Sequence, residues 1–207
     1  MTKVDLSRDL KPLYATGAAA RKPHLVEVPR LNYLMVDGRG DPNTVQAYKD
    51  ALEALYSVAY TLKFDRKKRG IEPDFRVMPL EGLWWMADGG EWDQEAKADW
   101  AWTSMIVVPD FIARAEVERA VKIAVEKKPS PAHPLLRLES LEEGTSGQVL
   151  HVGPYSDEGP IIAELHAFLD AEGYELTGKH HEIYMGDPRR TAPEKLKTII
   201  RQPARPR

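Results

Sequence analysis

The chain has 207 residues, enough for one large domain or two tightly packed halves with a real core. Hydrophobic residues make up 43% and charged residues 29%, the balance of an ordinary soluble globular protein. A net charge of −3, from 29 Lys and Arg against 32 Asp and Glu, excludes the basic excess of a nucleic-acid-binding domain. The absence of Cys excludes disulfide scaffolds, Cys zinc sites and thiol nucleophiles.

The start, Met1 to Asp5, lacks the apolar region of a signal peptide, and no apolar run approaches the roughly 18 residues of a membrane helix. A cytoplasmic protein without a membrane partner is expected. Residues 1–22 carry little pattern and read as an N-terminal arm. His24 to Val36 reads as extended, interrupted at Pro29, and Asp37-Gly38-Arg39-Gly40 as a loop. Asp41-Pro42 is a cap followed by a residue suited to the first helical turn. Val45, Tyr48, Leu52, Leu55, Tyr56, Ala59 and Leu62 then recur at steps of three and four, predicting a helix over 42–63 that ends near Gly70. Phe75 to Met86 and Trp100 to Val108 read as strands joined by the acidic connection Ala87 to Asp99. A second helix is predicted over Phe111 to Lys128, and Lys127 to Pro134, with three prolines, reads as a linker.

The pattern then starts again. Leu135 to Leu141 is extended, Gly144-Thr145-Ser146-Gly147 reads as a turn, and Gln148 to Val152 as a strand. Ser156 or Asp157 caps a helix with the face Ile161, Ile162, Leu165, Phe168 and Leu169, stopped at Gly173. A strand runs through His180 to Met185, and Thr198 to Gln202 is the last, ended by Pro203. The two halves, about 24–109 and 135–203, share the order of their elements. The expected fold is therefore α+β: each half reads strand, strand, helix, strand, strand, and two such units pair about a pseudo-twofold axis with a central ligand cleft, joined through 111–134.

Glu182 is the leading candidate for chemistry. Alternation along a strand puts His180, Glu182 and Tyr184 on one face, with His181, Ile183 and Met185 on the other. A carboxylate amid aromatic and aliphatic neighbours is costly unless solvated, paired or used, and burial would suit it to act as a general base or to meet a cationic ligand. The alternative is an edge-strand carboxylate facing water. Glu81, its counterpart in the first half, shares a face with Leu83 and Trp85 and invites the same two readings. All five tryptophans fall between positions 84 and 102. Trp84, Trp85, Trp100 and Trp102 are candidate ligand-binding residues, as is Tyr56 on the first helix, though such a cluster also suits a core. His181-Glu182-Ile183-Tyr184-Met185 lacks the second His of a zincin helix, and there is no Gly-x-Ser-x-Gly elbow and no phosphate loop. Neither a metal nor an organic cofactor is expected.

The run His180-His181-Glu182-Ile183-Tyr184-Met185-Gly186-Asp187-Pro188, continuing to Arg201-Gln202-Pro203, resembles the ending of the GyrI-like small-molecule-binding family. Gly153-Pro154-Tyr155-Ser156 with its helix, and Gly82-Leu83-Trp84-Trp85 followed by Trp102-Thr103-Ser104-Met105-Ile106, are similar to that family too. The resemblance covers about residues 22–207. It implies a duplicated β-α-β-β unit, the SHS2 module, with a cleft for flat aromatic or cationic compounds. Family members include effector domains of drug-sensing transcription regulators and stand-alone proteins associated with gyrase inhibition or toxin protection. Other stand-alone members hydrolyse the strained cyclopropane of DNA-alkylating spirocyclopropane antibiotics. The family's pocket acid falls on Glu182, and its aromatic positions are carried more loosely to Tyr155, Trp84 and Trp85. With about 22 residues before the first strand, the regulator reading is disfavoured. Two readings stay open: a cofactor-independent hydrolase with Glu182 as base and Tyr155 or Tyr184 as proton donor, or a protein that binds an aromatic small molecule without turnover.

Overall fold

The computed structural model describes residues 3–90, 92, 93 and 95–207. Met1 and Thr2 of the expected arm, and Glu91 and Gln94 of the expected acidic connection, lie outside the described residues. In chain order the elements are β1 (Lys3–Val4), α1 (Leu6–Asp9), β2 (His24–Val28), β3 (Leu31–Arg39), α2 (Gln46–Lys68), β4 (Asp74–Phe75), β5 (Glu81–Met86) and β6 (Trp100–Val108). They continue with α3 (Arg114–Lys127), β7 (Arg137–Leu141), β8 (Gly144–Val152), α4 (Gly159–Ala171), β9 (Tyr174–Leu176), β10 (His180–Tyr184) and β11 (Lys197–Pro206). The fold is α+β. Setting aside the short β4 and β9, the order strand, helix, strand, strand occurs twice, as β3-α2-β5-β6 and β8-α4-β10-β11. Among the described residues no helix is long and apolar enough to cross a membrane.

The chain divides into two compact units. The first comprises Met1–Asp9, Leu31–Met78 and Trp85–Leu141, and the second Leu10–Arg30, Pro79–Trp84 and Glu142–Arg207. They are cut differently from the repeats expected at 24–109 and 135–203: β2 belongs to the second unit, and α3 with the segment after it to the first.

In the first unit β3 pairs antiparallel with β6 on one side and β7 on the other, and β1 pairs parallel with β4. Ala51, Ala54, Leu55, Val58, Ala59 and Leu62 form the buried stripe of α2, the helical period read from the sequence. The helix starts later than expected, at Gln46, because the Asp41 carboxylate accepts the Asn43 N–H and closes a turn instead of capping the helix. Asp37 to Arg39, expected as a loop, continues β3. Gly38 sits opposite Trp102, whose ring folds over it; a Cβ at residue 38 would lie 2.1 Å from that ring. The expected linker is packed as well. His133 is buried, its Nδ1 accepting the Ser130 N–H and its Nε2 lying 2.9 Å from Ser57 Oγ.

In the second unit the strands run β2-β8-β11-β10-β5, all antiparallel. α4 covers one face, where Ile162 and Leu165 pack with Val149 and Ile200. Gly144 to Gly147, expected as a turn, begins β8, and Gly147 is small because α4 comes close. A Cβ there would lie 2.9 Å from the Leu169 side chain. Pro203 does not end β11: its carbonyl accepts the Thr177 N–H, and the strand goes on to pair with β9. The opposite face is covered by residues 10–22, in which Leu13, Tyr14 and Ala20 are buried in short 3-10 turns. The Pro12 and Leu13 carbonyls accept from Gln148 Nε2 and Arg201 Nη2, so this stretch is anchored rather than a loose arm.

Candidate functional site

β10 pairs with β5 so that Glu182 faces Gly82 and His180 faces Trp84, while Tyr184 pairs with Thr198 on β11. Opposed residues of neighbouring strands share a face. His180, Glu182, Tyr184, Trp84 and Thr198 therefore lie together, on the side that α4 covers.

These side chains form a connected set. Glu182, 14% exposed, holds His180 Nε2 at 3.0 Å on one carboxylate oxygen and accepts the Tyr184 hydroxyl at 2.7 Å on the other. Trp84 Nε1 donates to the Tyr184 oxygen at 3.1 Å. The missing side chain of Gly82 makes room for that contact, since a Cβ there would lie 2.8 Å from Trp84 Nε1 and 3.2 Å from Tyr184 Oη. Tyr155, in the 3-10 turn before α4, meets the Tyr184 ring edge-on at 5.6 Å. Burial works to raise the Glu182 pKa, yet the hydrogen bonds from His180 and Tyr184 and the charges of His180 and His181 hold it below the usual carboxylate value.

Glu158 is the residue that sequence reasoning missed. It stands at the N-cap position of α4, expected for Ser156 or Asp157, without a side-chain capping bond; it is 3% exposed and lies against Glu182 and Thr198. Burial and the neighbouring Glu182 charge push its pKa up to about 9, against a weaker opposite pull from Thr198. Its Oε1 atom, Thr198 Oγ1 and His166 Nε2 are buried without a hydrogen-bond partner. No sequence motif marks such a pair, because it joins a helix start to a strand.

Glu81 is corrected. It shares β5 with Trp84 but takes the opposite face, is fully buried, and belongs to a different network. Its carboxylate accepts the Tyr14 hydroxyl at 3.0 Å and sits 3.0 Å from His181 Nε2. His181 Nδ1 lies 3.0 Å from both Glu143 oxygens, and Arg201 Nη1 donates to Glu143 at 3.2 Å. With a carboxylate at each ring nitrogen, His181 is an imidazolium. Burial opposes the charge, but Glu143 and Glu81 raise its pKa to about 8. Burial likewise opposes the Glu143 charge, which His181 and Arg201 nevertheless hold at about 2.

The other tryptophans belong to the first unit. Trp102, expected in a ligand wall, is 1% exposed and packs edge-on to Tyr48 at 5.0 Å. Trp100 is buried, donates from Nε1 to the Asp93 carbonyl and packs on Trp92 at 4.5 Å. Trp85 is half-buried, and Tyr56 stacks on Tyr60 along α2 at 6.4 Å. Within the second unit, then, the structure gathers Glu182, Tyr184, Tyr155 and Trp84 from the expected site residues.

An α+β domain thus sets the largely buried Glu182 carboxylate among Trp and Tyr groups. The chain belongs to the GyrI-like small molecule binding domain family, whose family model matches residues 21–205. It is similar to the structure of an uncharacterised conserved protein from Listeria innocua, at 41% identity and a TM-score of 0.89 over 98% of this chain and 100% of that one. It is also similar to two structures of hydrolases from Listeria innocua, each 40% identical and covered over its full length. Their TM-scores are 0.84 over 98% of this chain and 0.86 over 99%. No curated protein matches the chain.

Proposed function

We propose that this protein binds flat aromatic small molecules and hydrolyses the cyclopropane ring of spirocyclopropane DNA-alkylating compounds, giving protection against them. The observation that supports this reading best is the relay Trp84–Tyr184–Glu182, in which a proton donor and a base are joined by one hydrogen bond. The likeness to proteins described as hydrolases supports the reaction class.

The chemistry follows from the side chains. Glu182 takes a proton from a water whose oxygen attacks the ring methylene. The carbon–carbon bond of the cyclopropane breaks, and its electron pair moves through the conjugated dienone to the carbonyl oxygen. Tyr184 gives that oxygen a proton. The Trp84 N–H, donated to the Tyr184 oxygen, stabilises the charge left there and makes the proton easier to give. Glu182 then returns the water's proton to Tyr184 across their 2.7 Å bond, so the net change is the addition of one water. Tyr155 and Trp84 supply aromatic surface for a flat ligand.

The test is incubation with a spirocyclopropane antibiotic, followed by mass spectrometry for a gain of one water. Glu182→Gln should lower turnover on the order of 10²–10⁴-fold while keeping affinity for a neutral ligand. Binding without gain of water would make the protein a sequestering one. Unchanged turnover in the variant would remove Glu182 from the reaction.

A further inference from the structure

We propose that Glu158 and Glu182 form a carboxyl dyad holding a single proton, with Glu158 the protonated member, and that the site turns over only while that proton is in place. The turnover half of this rests on the hydrolytic reading above; the proton half does not.

The geometry carries the argument. Both carboxyl groups lie on the α4 side of the sheet, one at the start of α4 and one on β10. Glu182 already accepts from His180 and from Tyr184, and both donors favour its charged form. Glu158 has less help, since the pull of the Thr198 hydroxyl is weaker than burial and the Glu182 charge. It is 3% exposed, with Oε1 unpartnered. Two adjacent buried carboxylates do not both ionise when one can keep a proton, and the poorly supported one keeps it. A proton on Glu158 also turns its contact with Glu182 from repulsive to attractive, because the acid O–H can donate to the carboxylate. The elevated pKa of Glu158 and the depressed one of Glu182 agree with this division.

β10 contributes His180 and Tyr184 and β11 the Thr198 hydroxyl, while His166 on α4, its Nε2 unpartnered, acts on His180. His181 acts on Glu182 from the other face of β10. Below the alkaline range the dyad carries one negative charge. Accepting the proton of an attacking water takes it to neutral, the form that a buried site favours. Once Glu158 ionises, two negative charges meet the ligand and the acid O–H that orients Glu182 is gone. Glu158 acts through Glu182 and is thus a positioning residue.

Infrared spectroscopy of the full chain reads the proton directly, as the carbonyl stretch of a protonated carboxylic acid at neutral pH. The wild type should show this band and lose it as the pH rises through about 9. Glu158→Gln should lack the band and Glu182→Gln should retain it. With a spirocyclopropane antibiotic as probe, wild-type turnover should fall along the same alkaline limb. Glu158→Gln, folded by circular dichroism, should lose that limb. A neutral-pH wild type without the band, or a band that survives Glu158→Gln, overturns the dyad. An alkaline limb unchanged in Glu158→Gln overturns its role in turnover. No water gain by any protein, with the band behaving as stated, would instead sink the hydrolytic reading and leave the shared proton standing.

Discussion

Replacing His181 by Gln tests the buried charge network of the second unit. The two carboxylates, Glu81 and Glu143, and the two cations, His181 and Arg201, sum to zero while His181 is protonated. Removing the imidazolium leaves an excess negative charge in a place that solvent does not reach, at a cost of about 3–5 kcal/mol. The pH dependence has a definite sign. The folded pKa of His181, about 8, lies above the unfolded value of about 6.5, so its proton stabilises the fold. That contribution is complete below about pH 6.5 and is lost as the pH rises through about 8. A shift of about 1.5 units corresponds to about 2 kcal/mol. Urea unfolding followed by circular dichroism, repeated in steps from about pH 6 to about pH 9, measures it. Glu158 loses stabilisation in the same direction as the pH rises, but it is present in both proteins and cancels in their difference. The wild-type advantage over His181→Gln should shrink by about 2 kcal/mol across the window. An advantage that stays constant with pH refutes the assignment of His181 as a doubly bonded cation.

Gly82→Ala should drive a methyl group into the Trp84–Tyr184 contact, 2.8 Å from the indole nitrogen. A changed Trp emission spectrum and at least tenfold weaker binding of an aromatic probe are expected, with about 1–3 kcal/mol of destabilisation seen in urea. Gly147→Ala, placed 2.9 Å from Leu169, should cost a similar amount but leave probe binding per folded molecule unchanged, because it strains the α4 packing and not the site. Deleting residues 1–22 removes buried Leu13 and Tyr14 and leaves Glu81, Gln148 and Arg201 each short of a partner. The shortened chain should melt at least about 10 °C lower, or fail to fold, in a thermal scan.

Much of the second unit's site was legible because strands write their faces into the sequence at a period of two. His180, Glu182 and Tyr184 stand on one side of β10 as the alternation requires, and the stripe on α2 was equally plain. The same alternation separates Glu81 from Trp84, which is why the counterpart carboxylate went to a buried network instead of the site. Glycines misled. Gly38 and Gly147 look like turn residues, but each is a strand residue kept small for a neighbour, the Trp102 ring or the Leu169 side chain. The anchoring of residues 10–22 left no pattern, because two of its contacts are to backbone carbonyls that every residue has. Glu158 was invisible for a related reason: its partner lies on a distant strand, and locally it is one more acidic residue before a helix.

His181 and Glu182 are adjacent in β10 yet look to opposite sides of the sheet. Sliding the strand by one residue would exchange them, setting Glu182 among Glu81 and Glu143 with Arg201 as the remaining cation. Three carboxylates against one guanidinium is a state that a dry interior rejects, so the reverse side of the strand acts as an alignment key for the obverse. The placing of the catalytic candidate is thus inherited from charge neutrality a residue away. Tailoring of ligand choice by substitution is open at Tyr155 and Trp84, which arrive on separate segments, and closed at His181.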